Sequence, residues 1–227
     1  MSISPEAGRL LGCLVEKQLT TPQQYPLTLN ALTMAANQAT NRDPVVSLDD
    51  ETVLAALDEL RSHHLVRVLL PSHGRSVKRY RHVIDEVYGL DAPRYALLAT
   101  LLLRGPQTVG ELRARSERMV DFPSVGDAQE QLEALAEHSE GLASLLPRRP
   151  GQKEDRWRQI VATPWGRDNA PVADDDRDQD QSNAVDENSF EGDTSPNEEL
   201  RSELASLRLE VAALRDDIDE LRQALGG

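Results

Sequence analysis

The stretch SLDDETVLAALDELRSHHLVRVLLPSHGRSVKRYRHV, residues 47–83, decides how the first part of this chain folds. Ser47 to Asp50 has the form of a capping box, which satisfies orphan N–H groups at a helix start. Val53, Leu54, Leu57 and Leu60 then recur at helical spacing, so one face of that helix is apolar. Past His64 the period changes. Two short β-prone runs, 65–70 and 77–83, flank a turn containing Pro71 and Gly74 and read as a β-hairpin.

Two more helices precede it. Ser4 and Pro5 form an N-cap and first-turn pair opening a helix through about Leu19, with Ala7, Leu10, Leu11, Leu14 and Val15 on its apolar face. A second helix is expected from Pro26 to about Asn37. Three helices and a hairpin is the order of a winged helix-turn-helix domain, and the order returns. PRYALLATLLL supplies a helix. TVGELRARSER opens another with the box Thr108 to Glu111, and SVGDAQEQLEALAEH a third with Ser124 to Asp127. LASLLPRRPGQKEDRWRQIV then offers two strands around a basic turn. The second helices even share a pattern, Thr28-x-x-x-Leu32 and Thr108-x-x-x-Leu112. The fold class expected is mainly α with small β-hairpins (α+β), with tandem winged helix-turn-helix domains at 4–84 and 91–162 and a C-terminal coiled coil. Aromatics make up only 4% of the chain, so its core must be built from Leu, Val and Ala.

Charge separates this part from the rest. The chain carries a formal net charge of −14, but residues 1–165 hold 19 Lys+Arg against 21 Asp+Glu, whereas residues 166–227 hold 6 against 18. Residues 166–194 contain ten acids, two arginines and little to bury, and read as an acidic disordered linker. Residues 195–225 read as a coiled-coil helix. Leu204, Val211, Ile218 and Leu225 fall at a positions, and Leu200, Leu207, Leu214 and Leu221 at d. Leucine at d with β-branched residues at a favours a parallel two-stranded coil. Its g positions Glu203, Glu210 and Asp217 face the following e positions Arg208, Arg215 and Arg222 of a parallel partner. A parallel homodimer is expected; the alternative is a helix packed on the globular part of the same chain.

No catalytic constellation is visible. The five histidines lack the spacing of a zinc site, no glycine run ends in Gly-Lys-Ser/Thr, and no Gly-x-Ser-x-Gly occurs. The expectation is therefore no enzyme, no metal and no cofactor. Cys13, the single cysteine, sits among Leu11, Leu14 and Val15 and reads as a core residue. No signal-peptide pattern opens the chain and its longest apolar run is far short of a bilayer span of ~20 residues. A cytoplasmic protein with no membrane partner is expected.

Nucleic acid is a stronger candidate partner. The first hairpin carries Arg75, Lys78, Arg79 and Arg81, flanked by His73 and His82; the second carries Arg148, Arg149, Lys153, Arg156 and Arg158 around Trp157. Such wings could neutralise duplex phosphates, with Arg113, Arg115 and Arg118 adding charge. The third helices are acidic, however, and offer base edges little beyond Gln129 and Gln131. Basic hairpins also serve simply as charged edges that block strand pairing. Two functions stand: a DNA-associated or transcription-regulatory factor holding duplex backbone through its wings, or a scaffold whose winged helices dock partner proteins.

EKQLTTPQQYPLTLNALTMAANQATNRDPVV, together with LLLRGPQTVGELRARSERM and LPRRPG, resembles the bacterial YceH-like family, a domain of unknown function. The likeness spans roughly residues 5–162 and implies tandem winged helices of undetermined role. A looser likeness in architecture is to tandem winged-helix subunits of chromosome-condensation complexes, which act through protein contacts. The amide-rich corner in that first motif has two readings. Tyr25, Asn37, Gln38, Asn41 and Arg42 either satisfy loop backbone and helix ends or form a polar binding surface.

Overall fold

Ser4 starts the first helix as its cap: its Oγ accepts the Ala7 N–H at 3.1 Å, and Pro5 follows at the first helical position. The same serine is anchored from outside. Its N–H and hydroxyl donate to the two carboxylate oxygens of Glu59, at 2.7 and 2.5 Å. The computed structural model describes residues 2–70, 77–148 and 152–165. These lie within one compact unit, Met1–Ala173; the other unit is Asp174–Gly227, and the expected linker at 166–194 and the heptads at 195–225 lie outside the described residues.

The described residues form seven α-helices and two small antiparallel sheets. In chain order they are α1 (Pro5–Thr20), β1 (Leu27–Thr28), α2 (Leu29–Ala36), α3 (Asp50–Ser62), β2 (Val66–Leu69), β3 (Arg79–His82) and α4 (Ile84–Tyr88). Then come α5 (Ala92–Arg104), α6 (Val109–Ser116), α7 (Val125–Glu137), β4 (Ala143–Leu146) and β5 (Arg156–Gln159). Helix, helix, helix, hairpin thus occurs twice, with α4 joining the two halves.

Several boundaries differ from the sequence expectation. The second helix begins at Leu29, not Pro26, because Leu27 and Thr28 are extended and pair with Tyr80 and Arg79 of β3. That adds a strand and gives the sheet order β1-β3-β2. Thr28 then caps α2, accepting the Ala31 N–H at 3.3 Å. The third helix begins at Asp50 with Asp49 as cap, not at a Ser47 box. Asn37 is the reason: its amide donates to the Leu48 carbonyl and accepts the Leu48 N–H, each at 2.8 Å, and so clamps the residue in between. The boxes on α6 and α7 form in full. Where the first half has β1, the second has a single bridge, with Gln107 and Trp157 exchanging backbone hydrogen bonds of 3.0 and 2.7 Å.

The two halves share one core. Leu10, Leu11 and Leu14 of α1 lie in the same apolar cluster as Leu57 and Leu60 of α3, Leu97 and Leu101 of α5, and Leu132 and Leu135 of α7. Each leucine buried there contributes about 1.5–3 kcal/mol. Close approach of α1 to the second half depends on two glycines. A Cβ at Gly8 would stand 2.6 Å from the Ala162 Cβ, and one at Gly12 would stand 2.9 Å from the Leu103 Cγ. Backbone bonds stitch the halves as well: Ile3 N–H to Val161 O at 3.0 Å, Thr163 N–H to Ile3 O at 2.8 Å and Asp43 N–H to Leu103 O at 2.9 Å. No helix among the described residues is long and apolar enough to cross a membrane.

Candidate functional site

The hairpins come first, because their register decides where each cation points. Arg79 and Arg81 alternate with Tyr80 and His82 along β3, and the two arginines meet partners within the protein. The Arg79 guanidinium donates to the Pro26 carbonyl at 2.7 Å. Arg81 pairs with Glu86 of α4 at 2.9 Å, and Arg67 of β2 pairs with the same carboxylate at 2.6 Å. The hydrogen bond from Arg81 holds the Glu86 carboxyl below its ordinary range. On the second hairpin Arg148 meets Asp155 at 3.1 Å, Arg156 meets Glu111 at 3.3 Å, and Arg158 donates to Ser144 Oγ at 3.1 Å. Lys78 and Lys153 have no such partner among the described residues. His73, Arg75 and Arg149 lie outside the described residues.

His82, set by sequence at the flank of the first basic wing, is a core residue instead, whereas Trp157 is a core side chain as expected. His82 is 2% exposed, its ring between those of Tyr25 and Tyr95 with centroids 6.1 and 5.7 Å away. Burial pushes its pKa down to about 4, against which Asp85, 3.8 Å from Nδ1, acts only in part. Neither ring nitrogen has a hydrogen-bond partner among the described residues. Trp157 is buried in the common core. The alternation of β3 and β5 explains both, since every second residue of a strand faces inward.

The third helix of each half presents a different surface. On α3 the exposed side chains include Asp50, Glu51, Leu54 and Asp58, with Arg61 paired to Asp58 at 2.7 Å. On α7 they include Val125, Glu130, Glu133 and Glu137. Leu54 and Val125 are large apolar groups left open to solvent at 43% and 49%. The two glutamines on α7 have internal partners. Gln129 donates to Glu133 at 2.7 Å, and Gln131 accepts from Arg94 at 3.1 Å.

The polar corner after α2 is knitted into the structure. Arg42, whose side chain is fully buried, donates to Ala35 O, Asn41 O, Gln38 Oε1 and both oxygens of Glu16. Tyr25 Oη accepts the His82 N–H at 2.8 Å, and burial raises its pKa. Asn41 sits at φ 59°, a left-handed conformation that asparagine tolerates, and its amide oxygen accepts from Arg104. Arg104 belongs to a cleft where the two halves meet, bordered by Glu16, Asn41, Arg115, Arg118 and Met119. In sequence Arg115 and Arg118 count only as charge added to that of the wings, and Arg104 carries no assigned role. Its one local signal, an arginine in the last turn of α5, is that of any helix C-terminus.

Cys13 is buried and its thiol is pushed up to about 11, so it sits in the core as a neutral side chain. Among the described residues no group of three or more His, Cys, Asp or Glu is placed to hold a metal ion.

Comparison with known proteins places this geometry in a family. Residues 3–152 match the family model described as "Protein of unknown function, DUF480". Among similar proteins, one named UPF0502 protein from Geotalea daltonii is 53% identical over 154 residues, covering 68% of this chain and 70% of that one. A UPF0502 protein of Geobacter sulfurreducens is 49% identical over 154 residues, covering 68% and 69%. Another from Koribacter versatilis is 47% identical over 159 residues, covering 70% and 73%.

Proposed function

Because the chain belongs to the DUF480 family, whose function is unknown, the site must carry the assignment, and we propose that this is a tandem winged-helix protein that docks a protein partner. The docking surface is the exposed face of its third helices. One observation carries this reading. The helix that a DNA-reading winged helix lays in the major groove here exposes acids and an apolar residue: Glu51, Leu54 and Asp58 on one face of α3, and on α7 Val125 at its first turn with Glu130 and Glu133 further along the helix. Phosphate repels such a face, whereas a basic partner with an apolar anchor complements it. The internal engagement of Arg79, Arg81, Arg148, Arg156 and Arg158 supports the same side. The opposing reading, duplex backbone held by the wings, rests among the described residues mainly on Lys78 and Lys153. No catalysis is part of the proposal, and heptad self-association would present the faces in pairs.

A photo-crosslinking residue at Leu54 or at Val125, introduced in the native host, tests this. A discrete protein adduct at both positions, absent when the residue stands at exposed Ala114, is the expected result. Anisotropy of a mixed-sequence duplex supplies the contrast. Salt-sensitive binding that is lost on changing Lys78, Arg79 and Lys153 to Ala, without adducts at the third helices, would overturn the proposal in favour of DNA.

A further inference from the structure

The cleft between the halves holds more positive charge than its neighbours neutralise. Arg104 ends α5, Arg115 lies on α6 and Arg118 lies in the turn after it, and all three border the cleft. Its one carboxylate, Glu16, gives both oxygens to the buried Arg42, at 3.2 and 2.6 Å. Arg104 has no carboxylate partner among the described residues, only the amide oxygen of Asn41. Arg115 donates to Gln107 at 2.9 Å and stands 3.7 Å from Glu111, a carboxylate also held by Arg156. Arg118 is exposed, with no hydrogen bond or ion pair among the described residues.

The hydrogen bonds of these arginines among the described residues go to side chains and not to the carbonyls that end α5. Thr100 O accepts from the Gln107 side chain at 3.3 Å, Leu101 O from the Gly105 N–H at 2.9 Å, and Leu103 O from the Asp43 N–H at 2.9 Å. The cations nonetheless crowd one another. Burial first, and then the charges of Arg115 and Arg42, hold the Arg104 guanidinium below its ordinary value, with the carboxylates of Glu16 and Asp43 acting only in part against them. Gathering like charges at a partly buried junction is unfavourable unless an anion joins them.

We infer that this cleft is an anion site that takes a phosphate group between Arg104, Arg115 and Arg118. Guanidinium forks match the terminal oxygens of phosphate, and three of them suit a dianion better than a single carboxylate. The cleft draws on α1, the loop after α2, α5 and α6, so a bound phosphate would bridge the two halves. Two sources present this chemistry, a free or small phosphorylated ligand and the backbone of a nucleic acid.

Met119 borders the cleft, while Met34 is 66% exposed on α2, away from it. Full-length protein labelled with ¹³C at the methionine methyls is titrated with inorganic phosphate against chloride at equal ionic strength, and separately with a short mixed-sequence duplex. The expected result is a saturable shift of the Met119 methyl with Met34 unmoved. Arg118→Gln, at an exposed position, and Arg104→Gln should each raise the apparent Kd about tenfold, the loss of one charge-assisted contact. Melting curves of both variants check that the fold persists. A response to inorganic phosphate identifies a small-ligand site, and a response to the duplex alone identifies a backbone site. If neither moves Met119, or if the variants respond as the parent does, the inference fails and the arginines only complement helix C-termini.

Discussion

Replacing Arg42 by Met removes the cation on which the corner after α2 is built. The side chain is fully buried, and its five donors reach Ala35 O, Asn41 O, Gln38 and both oxygens of Glu16. Met fills much of the same volume, so the loss is chiefly electrostatic. Removing one partner of a buried ion pair costs about 3–5 kcal/mol, because the other charge is left unpaired. Glu16 keeps 15% exposure and can turn toward water, which places the expectation at the lower end, ~3 kcal/mol. For a unit of this size that is a fall in Tm of roughly 6–12 °C. Denaturant unfolding of parent, Arg42→Met, Glu16→Leu and the double variant forms a cycle. The double variant should recover a large part of the loss, since an apolar pair leaves no stranded charge. If Arg42→Met stays within about 1 kcal/mol of the parent, or the double variant is the sum of the singles, the corner is not held by this pair.

Stability should also fall with acid through His82. Its pKa is depressed to about 4 in the fold against an ordinary 6.5, so the unfolded chain binds the proton first as pH drops. The stability present above 6.5 is lost progressively down to about 4, by up to ~3 kcal/mol at 1.4 kcal/mol per pH unit. Denaturant titrations of His82→Phe should lack that slope; an unchanged slope would assign it to other groups. Gly8→Ala should destabilise by about 1–2 kcal/mol, the clash with Ala162 outweighing alanine's helix preference, whereas a more stable variant would mean α1 can shift. Removing residues 195–227 should convert a dimer to a monomer in sedimentation; a dimer that persists would place the interface in residues 2–165.

Much of the helical frame was legible because its signals are local. The caps at Ser4, Thr108 and Ser124 and the spacing of Leu10, Leu14, Leu97 and Leu101 act within one or two turns of the residue concerned. The hairpins were legible for the same reason. Where the reading failed, a distant residue had intervened. Ser47 had the form of a cap, but Asn37 from the preceding helix end holds Leu48 extended and moves the start to Asp49. Two residues of β1 carry too little pattern to be seen before β3 gives them a partner.

Side-chain roles divided along the same line. Residue types alone placed basic groups on the hairpins and acids on the third helices, because charge needs no fold to be counted. Tertiary structure decided which of those charges are neutralised: Glu86 meets Arg67 and Arg81 only once α4 packs beside the sheet. It also decided that Glu16, Asn41, Arg104 and Arg118, far apart in the chain, border one cleft. Local propensity sets where helices begin and which face is apolar. Which charges meet across the halves is set by the packing of α1 on α5, a contact between segments some eighty residues apart that no short window of sequence contains.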